Sequence, residues 1–259
     1  MLIPHYNNPA GLLNSVASIG PTENVDVLVV DDGSSVRFQE TKIRQSARFG
    51  RQIFFVYLPQ NQGIGAALNA GLVWIRLRKY EYVARLDCGD LCHPKRFEKQ
   101  EAFLSQNPKI DLVGSWALYV DEAGEKLLQM KPPTTDAEIR RKIFLFCPFI
   151  HPSIFFRVGV LDKVNRYNNA RDVAEDYTFY FEILKNHRVA NISEFLLTYQ
   201  VSSQSVSTRK RRMVLLSSLK VLRQNFYWGW YPVFGIAKHT LAFFISRNTA
   251  LHLRKYWPR

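Results

Sequence analysis

The stretch VDVLVVDDGSS, residues 25–35, decides the fold of this 259-residue chain. Its first part, residues 25–30, is an apolar and largely β-branched run of the kind that is buried on both faces of a parallel sheet. Two carboxylates, a glycine and two serines follow, so the strand ends in a turn that can also cap a helix. Strands alternating with helices around this stretch predict an α/β fold with a doubly wound, mostly parallel sheet.

The same alternation extends through the first half of the chain and becomes irregular in the second half. Pro4 predicts an early end to the first strand, because proline cannot donate to a strand ladder. The predicted strands are 1–3, 25–30, 52–57, 82–86, 110–120 and 152–157, and the predicted helices are 9–19, 36–49, 66–80, 93–107, 135–146 and 176–185.

A second strand end carries carboxylates. The apolar run 82–86, which includes Arg85, stops at Asp87-Cys88-Gly89-Asp90. Open α/β sheets bind ligands at the carboxyl ends of their strands, and carboxylates placed there hold a divalent cation against substrate phosphates. This strand end is therefore a candidate metal and phosphate site.

The glycine loop 61–65 precedes a predicted helix, so its backbone can approach a ligand closely. It is not a dinucleotide fingerprint, because Leu68 stands where a small residue is needed and the loop follows the third strand instead of the first. A dehydrogenase is accordingly disfavoured.

Other polar residues have a structural as well as a functional interpretation. Asp31 and Asp32 form either a helix cap with a solvated acid or a pair that contacts a base and ribose. A lone histidine such as His151, followed by Pro152-Ser153, is more often structural than catalytic. Glu175-Asp176 begins a helical pattern, where the helix dipole favours acids and where one acid could also serve as a general base.

Composition limits the class of protein. The apolar content of 47% and charged content of 22% indicate a folded chain. The cysteines Cys88, Cys92 and Cys147 lack a disulfide framework, which favours a reducing compartment, and with His93 and His151 they match no standard zinc spacing. We expect no signal peptide, because residues 1–4 show neither a basic nor a long apolar region.

The net charge of +13 comes mainly from the last part of the chain. Residues 209–259 contain eleven of the 35 Lys and Arg residues and no Asp or Glu. Aromatic and aliphatic side chains lie between these cations, a pattern that favours helices in the interface of an anionic membrane. Packing on the body or on a second subunit, and nucleic-acid binding, are the alternatives, the last being disfavoured because the segment is so apolar.

The order of these motifs resembles that of the family 2 glycosyltransferases, which have the GT-A fold. The motifs are Pro4–Asn7, the strand end 29–35, the segment 61–71 and the strand end 84–87. Later pieces at 151–153, 175–177 and 202–207 resemble bacterial members that build exopolysaccharide, O-antigen or lipo-oligosaccharide. The resemblance covers residues 1–208 and implies inverting transfer of a sugar from a nucleotide-sugar to a hydroxyl group.

The resemblance also implies residue roles. It makes Asp176 the catalytic base, with Glu175 shaping its environment, and it places acceptor contacts at His151 and Ser153. Asp87 and Asp90 would bind Mg²⁺ or Mn²⁺ at the diphosphate. The implied nucleotide-binding residues are Pro4, His5, Tyr6, Asn7, Asp31, Asp32, Asn61, Gly63, Gly65, Ala66, Arg85 and Asp87.

The chain departs from its relatives at Gly89, where they commonly have a carboxylate that binds the metal. Three alternatives follow from this departure. Asp90 helps Asp87 to hold the ion, directly or through water; the ion binds weakly; or Arg85, Lys95 or Arg96 supplies the positive charge instead.

The sequence thus predicts a glycosyltransferase domain at 1–208, divided into a nucleotide-sugar half at 1–92 and an acceptor half at 93–208, followed by a basic helical tail at 209–259. We expect a bacterial enzyme at the cytoplasmic face of the membrane, with a UDP-sugar donor, a lipid-linked or glycan acceptor, and a homodimer as one option. A non-catalytic nucleotide-sugar-binding scaffold, degenerate at Gly89, is the alternative.

Overall fold

A computed structural model describes residues 1–164, 166–167, 174–201 and 211–244. The predicted motif at 202–207 and the domain boundary at 208/209 lie outside the described residues. The strands are β1 Leu2–His5, β2 Val27–Asp31, β3 Ile53–Tyr57, β4 Tyr82–Ala84, β5 Leu91–Cys92, β6 Leu112–Val120, β7 Lys126–Met130, β8 Phe155–Arg157 and β9 Val189–Gln200. The helices are α1 Pro9–Ala17, α2 Glu40–Ser46, α3 Ile64–Leu77, α4 Arg96–Gln106, α5 Asp136–Lys142, α6 Glu175–Asn186, α7 Arg211–Gln224 and α8 Trp230–Phe244.

The first half forms a parallel sheet, and the second half adds mixed pairing. Strand β2 lies between β1 and β3, and both pairs are parallel. A parallel bridge from Leu2 to Arg85 connects β1 to the chain that leaves β4. From β4 the order continues through β8, β6, β9 and β5, and β7 pairs antiparallel with the second part of β6. The predicted α/β fold is confirmed, with a parallel first half and a mixed second half.

Strand β2 is buried throughout, as its apolar sequence predicts. Its side chains alternate between two cores: Leu28 and Val30 pack on the side of α3, whereas Val27 and Val29 pack on the side of α1. Helix α3 approaches β1 closely at Gly71, where a Cβ atom would lie 2.3 Å from Leu2 Cδ1. Helices on both faces explain why polar residues appear where the strands end.

The prediction that the first strand stops before Pro4 is wrong, because Pro4 pairs with Val30 and His5 with Asp31. The Met1 carbonyl accepts a bond from Leu28 of β2 and the His5 carbonyl accepts one from Asp32, just after β2. The Leu2 carbonyl accepts one from Leu86 on the other side. Pro4 shares the side of Leu2, so its missing N–H costs no bond to β2.

Other bounds also differ from the predictions. The predicted helix 36–49 shortens to α2 and the helix 135–146 to α5, and the strand 152–157 begins instead as a 3₁₀ turn at His151–Ser153. Strands β5, β7 and β9 were not predicted. The β6–β9 register shifts around Trp116, and β9 carries exposed polar residues at that level, so the period of an ordinary strand is interrupted.

Candidate active site

Strands β1 and β2 and the chain that leaves β4 end at the same edge of the sheet. His5 pairs with Asp31 at this edge, and Leu2 pairs with Arg85, two residues before Asp87. Parallel strands bring these polar termini together, as expected for a ligand crevice.

His5 is a buried connector between the ends of β1 and β2. Its Nδ1 lies 2.7 Å from Asp31 Oδ2, and its Nε2 accepts a 3.2 Å bond from the Asn8 backbone. The ring therefore carries its proton on Nδ1 and donates it to Asp31. Burial acts to raise the pKa of Asp31, but bonds from the Ser34 amide and His5 hold it below its ordinary value. The His5 ring thus fixes the crevice wall.

Asp32 fixes the glycine loop in the same way. Its two oxygens accept bonds from the backbone N–H groups of Gln62 and Gly63, at 2.9 and 2.8 Å, and from Asn61 Nδ2 at 3.0 Å. Burial raises the pKa of this carboxyl group. Gly63 has a φ of +95°, a conformation that glycine adopts without strain. In this conformation the Asp32 carboxylate is fully engaged with the loop.

Other predicted nucleotide contacts differ in their exposure. Pro4 is buried, whereas Tyr6 is 50% exposed directly after β1 and offers an aromatic face. Asn7 accepts a 2.9 Å bond from the Val36 backbone and so braces the turn after β2. Gly65 and Ala66 lie in the first turn of α3.

Arg85 is the buried cation of the site. Its Nη2 donates to Asp87 Oδ1, while Nε and Nη1 are buried with no hydrogen-bond partner among the described residues. The positive charge of Arg85 acts to lower the pKa values of both Glu175 and Asp176. Arg85 therefore binds Asp87 after β4 and also acts electrostatically on the two acids at the start of α6.

Glu175 and Asp176 occupy the first turn of α6. Burial, followed by the charge of Asp176, raises the pKa of Glu175 to about 7. Burial likewise raises the pKa of Asp176, whose Oδ1 accepts a 2.7 Å bond from the Tyr177 backbone. Acids with raised pKa values beside a buried arginine are typical of catalytic sites.

The loop 87–90 is shaped by Ser15 of α1. The Ser15 hydroxyl donates to the Asp90 carbonyl at 2.8 Å and accepts from the Gly89 amide at 2.9 Å. Gly89 has a φ of +108°, a region that other residues enter with strain. Sequence analysis missed Ser15, because nothing in its local pattern distinguishes it from other helical serines.

Asp90 is turned inward. It is 4% exposed, its Oδ1 accepts a 2.9 Å bond from the Gln200 backbone, and its Oδ2 is buried without a partner among the described residues. Among those same residues no three His, Cys, Asp or Glu side chains are grouped to hold a metal ion. The unpartnered Oδ2, together with the partly exposed Asp87, nevertheless fits a cation that takes its other ligands from phosphate and water.

The other candidate cations have different positions. Arg96 is fully buried and donates to the Arg85 carbonyl at 2.7 Å and to Gln100 at 3.0 Å, so it supports the Arg85 backbone. Lys95 is exposed just before α4. Of the three, Arg85 is the one that contacts Asp87.

The two predicted acceptor residues, His151 and Ser153, differ in their burial and in their hydrogen-bond partners. The His151 Nε2 lies 2.9 Å from the Tyr167 hydroxyl, and burial, with a smaller effect of Arg85, lowers the pKa of His151 well below its ordinary value. Both effects favour the neutral form of the His151 imidazole. Ser153 is fully buried, and its hydroxyl donates to the Ile150 carbonyl at 2.7 Å, so it supports the turn.

Asn69 and Tyr167 form a further support that sequence analysis did not identify. The Asn69 side chain exchanges two hydrogen bonds with the Tyr167 backbone, at 2.7 and 3.0 Å. The Tyr167 ring stacks on Phe179 of α6 at a centroid distance of 4.2 Å. This pair connects α3 to the helix that carries both acids. Asn69 is part of the quoted segment 61–71, but nothing in the sequence showed its partner.

Comparisons with known proteins agree with this geometry. The chain is 29% identical over 258 residues to the amylovoran biosynthesis glycosyltransferase AmsE of Erwinia amylovora, covering 97% of this chain and 93% of AmsE. The structure of S. aureus TarS in complex with UDP-GlcNAc matches with a TM-score of 0.65 and 20% identity, over 98% of this chain and 74% of that one.

A mannosyltransferase from Pyrobaculum calidifontis, in complex with GDP-Man and Mn²⁺, matches with a TM-score of 0.61 and 14% identity, over 96% of this chain and 70% of the other. The sequence profile described as "Glycosyl transferase family 2" matches residues 1–164. The chain therefore belongs to glycosyl transferase family 2 and is a glycosyltransferase with the GT-A fold.

Proposed function

We propose that this glycosyltransferase moves a sugar from a UDP-sugar to an acceptor hydroxyl group with inversion at the anomeric carbon, and that Asp176 is the base. The observation that carries the proposal is the placement of Glu175 and Asp176 in the first turn of α6, within the electrostatic reach of Arg85 and Asp87. Two acids and a buried arginine thus act on one another electrostatically, and the arginine lies at the end of β4, where a ligand is expected.

The chemistry requires one in-line displacement. The acceptor oxygen forms a bond to the anomeric carbon, the bond from that carbon to the diphosphate oxygen breaks, and its electron pair leaves with UDP. The acceptor proton passes to the Asp176 carboxylate, whose raised pKa makes it a better base than an exposed aspartate. The neighbouring Glu175 is a second acid, with a pKa raised to about 7 by burial and by the charge of Asp176.

The nucleotide would lie along the ends of β1, β2 and β4. Tyr6 offers a half-exposed ring for stacking on a base, and the loop fixed by Asp32 offers backbone groups at the start of α3. TarS was solved with UDP-GlcNAc and the mannosyltransferase with GDP-Man, so the fold accommodates either base. We favour UDP on the resemblance to bacterial polysaccharide enzymes.

The leaving diphosphate requires positive charge. We propose that Asp87, with Asp90, would hold Mg²⁺ or Mn²⁺ there, and that such an ion would supply Lewis-acid stabilisation of the leaving group. Gly89 contributes no ligand, so this chain offers two carboxylates. Arg85 orients Asp87 through its Nη2.

We propose a lipid-linked or glycan acceptor used in cell-surface polysaccharide synthesis, with the enzyme attached peripherally to the inner face of a bacterial membrane through residues 209–259. The name of AmsE, which refers to amylovoran biosynthesis, and the positive charge of this segment support the proposal. We also propose a domain boundary at 208/209 and a homodimer.

A panel of nucleotide-sugars tests the donor. A donor at a hundred times its dissociation constant adds about 2.7 kcal/mol to the free energy of unfolding. We expect a UDP-sugar to raise the melting temperature, and to release UDP slowly when divalent metal is present. Stabilisation by GDP-sugars alone would contradict the choice of base. A complete lack of both stabilisation and turnover across the panel would contradict the proposed function.

A further inference from the structure

Helices α7 and α8 form a hairpin that is attached to the catalytic body along one face. Val221 and Leu222 of α7 are buried in the same core as Phe181 of α6. Tyr227 packs edge-on against Phe144 at a centroid distance of 5.3 Å. At Gly235 of α8 an added Cβ atom would lie 2.2 Å from the Phe144 carbonyl oxygen. The attached face of the hairpin is therefore buried and closely packed, like the interior of the body.

A second attachment fixes α8. The Lys238 Nζ donates a 3.0 Å hydrogen bond to the Leu145 carbonyl, just after α5. The close approach at Gly235 and this bond lie one helical turn apart, so the middle of α8 contacts the body as well as the turn that precedes the helix. These contacts attach both helices of the hairpin to the catalytic body.

The described part of the hairpin also exposes large aromatic side chains to solvent. Trp228 is 89% exposed and Trp230 is 75% exposed, although large aromatic side chains are normally buried. Their neighbours extend this surface: Phe226 packs edge-on against Trp228, and Trp230 stacks on Phe234. We call these four residues the aromatic turn. Contiguous apolar patches of this kind mark interaction sites.

The chemistry around the aromatic turn indicates its partner. The exposed charged residues of the hairpin are cations, Arg212, Lys220, Arg223 and Lys238, and no acid follows Glu194 in the sequence. Tryptophan prefers the boundary between headgroups and acyl chains, and cations beside it attract anionic lipids. Among the described residues no helix has both the length and the apolar character needed to cross a bilayer. The exposed tryptophans and the cations beside them fit a site at the surface of an anionic bilayer.

We propose that the aromatic turn inserts into the headgroup region of an anionic bilayer, and that the hairpin holds the body at a fixed position on the membrane. This deepens the proposed function, on which one consequence rests. Because α7 packs on α6, the helix of Glu175 and Asp176, the site is held rigidly relative to the lipid surface. A lipid-linked acceptor then meets the base without a search in three dimensions.

Vesicle binding of the full chain tests the proposal. Trp228→Ser/Trp230→Ser removes the two most exposed rings of the turn, and Val73→Ser/Leu77→Ser is the matched control, because these α3 side chains are 58% and 75% exposed elsewhere on the body. We expect wild type and control to float with phosphatidylglycerol-containing vesicles and weakly with phosphatidylcholine alone. The tryptophan variant should lose about tenfold or more of its partitioning.

Brominated lipids provide a direct readout. Brominated lipids should quench the tryptophan fluorescence of the wild-type protein, and most of this quenching should disappear in the Trp228→Ser/Trp230→Ser variant. Equal flotation of both variants, or no flotation of wild type, would overturn the proposal. So would a wild-type dimer that the tryptophan substitutions dissociate without affecting vesicle binding, or retention on single-stranded RNA that they abolish.

UDP release from a soluble donor separates the two proposals. It should be the same in wild type and in both variants, since neither pair of residues belongs to the site. Vesicle binding without any donor turnover would contradict the proposed function alone, and turnover without vesicle binding would contradict the anchor alone.

Discussion

Replacing Glu175 with Gln should stabilise the protein at alkaline pH and reveal the energetic cost of the site. Burial raises the pKa of this carboxyl group from 4.5 to about 7. Below pH 4.5 both the folded and the unfolded states hold its proton. Between those values the unfolded state has released the proton while the folded state retains it, so unfolding becomes easier as pH rises. Above pH 7 the penalty is constant.

The magnitude follows from the two pKa values. Each pH unit between them is worth about 1.4 kcal/mol, so the penalty in wild type reaches about 3 kcal/mol by pH 8. Glutamine does not titrate and has nearly the same shape. The variant should therefore gain about 3 kcal/mol relative to wild type between pH 4.5 and pH 8, which corresponds to roughly 6–12 °C in melting temperature.

Urea unfolding of both proteins at half-unit pH steps measures this difference. Glu182→Gln is the control, because Glu182 lies on the same helix and pairs with Lys185 at the surface; its effect should stay below about 1 kcal/mol at every pH. A Glu175→Gln difference that stays flat from pH 4.5 to 8 would refute the argument that burial of this acid is costly.

Three further variants test other parts of the site. Gly33→Ala should lower the free energy of unfolding in urea by about 2 kcal/mol or more, because Gly33 has a φ of +66° and a Cβ atom there would lie 2.3 Å from the Gln60 backbone. The control Gly50→Ala, at a position with open space around it, should stay within about 1 kcal/mol of wild type. Equal losses of stability in both variants would contradict the close packing at Gly33. Arg85→Gln should move the acidic limb of the turnover–pH profile to higher pH, because the cation lowers the pKa values of the two acids of α6; an unmoved limb would show that Arg85 does not act on them. Tyr167→Phe should lower the free energy of unfolding by about 1 kcal/mol, because the hydrogen bond to His151 is lost. It should also lower turnover, while the UDP affinity measured by calorimetry stays the same. A loss of UDP affinity alone would instead place Tyr167 at the nucleotide.

The fold was predictable wherever a single local pattern determines an element. Strand β2 and helix α3 follow directly from an apolar run and from helical periodicity, and both are present. Strand β9 was missed because its polar residues and the shifted β6–β9 register hide the alternation. The predicted end of the first strand at Pro4 was wrong, because a proline interrupts a strand only where its missing N–H group would have paired with a neighbouring strand. Which side of the strand is paired depends on residues far along the chain.

The site was predictable as a set of residue types and not as a set of contacts. The sequence indicated that acids gather at strand ends, but not that Asp32 is engaged with the glycine loop or that Asp90 turns toward β9. Such engagement depends on long-range pairs, like that of Asn69 with Tyr167, which no local period reports. The charge and aromatic pattern of residues 209–259 predicted a basic helical tail, but only the packing shows which face of the α7–α8 hairpin is covered.

Asp176 carries the central claim, and one measurement tests it most directly. The Asp176→Asn variant is compared with wild type for the rate of donor turnover and for UDP affinity, and proton NMR follows the anomeric configuration of the sugar that wild type releases. The account predicts release with inverted configuration in wild type, loss of turnover by about a hundredfold or more in the variant, and UDP affinity that is nearly the same in both. Substantial turnover in Asp176→Asn, or release with retained configuration, would contradict it.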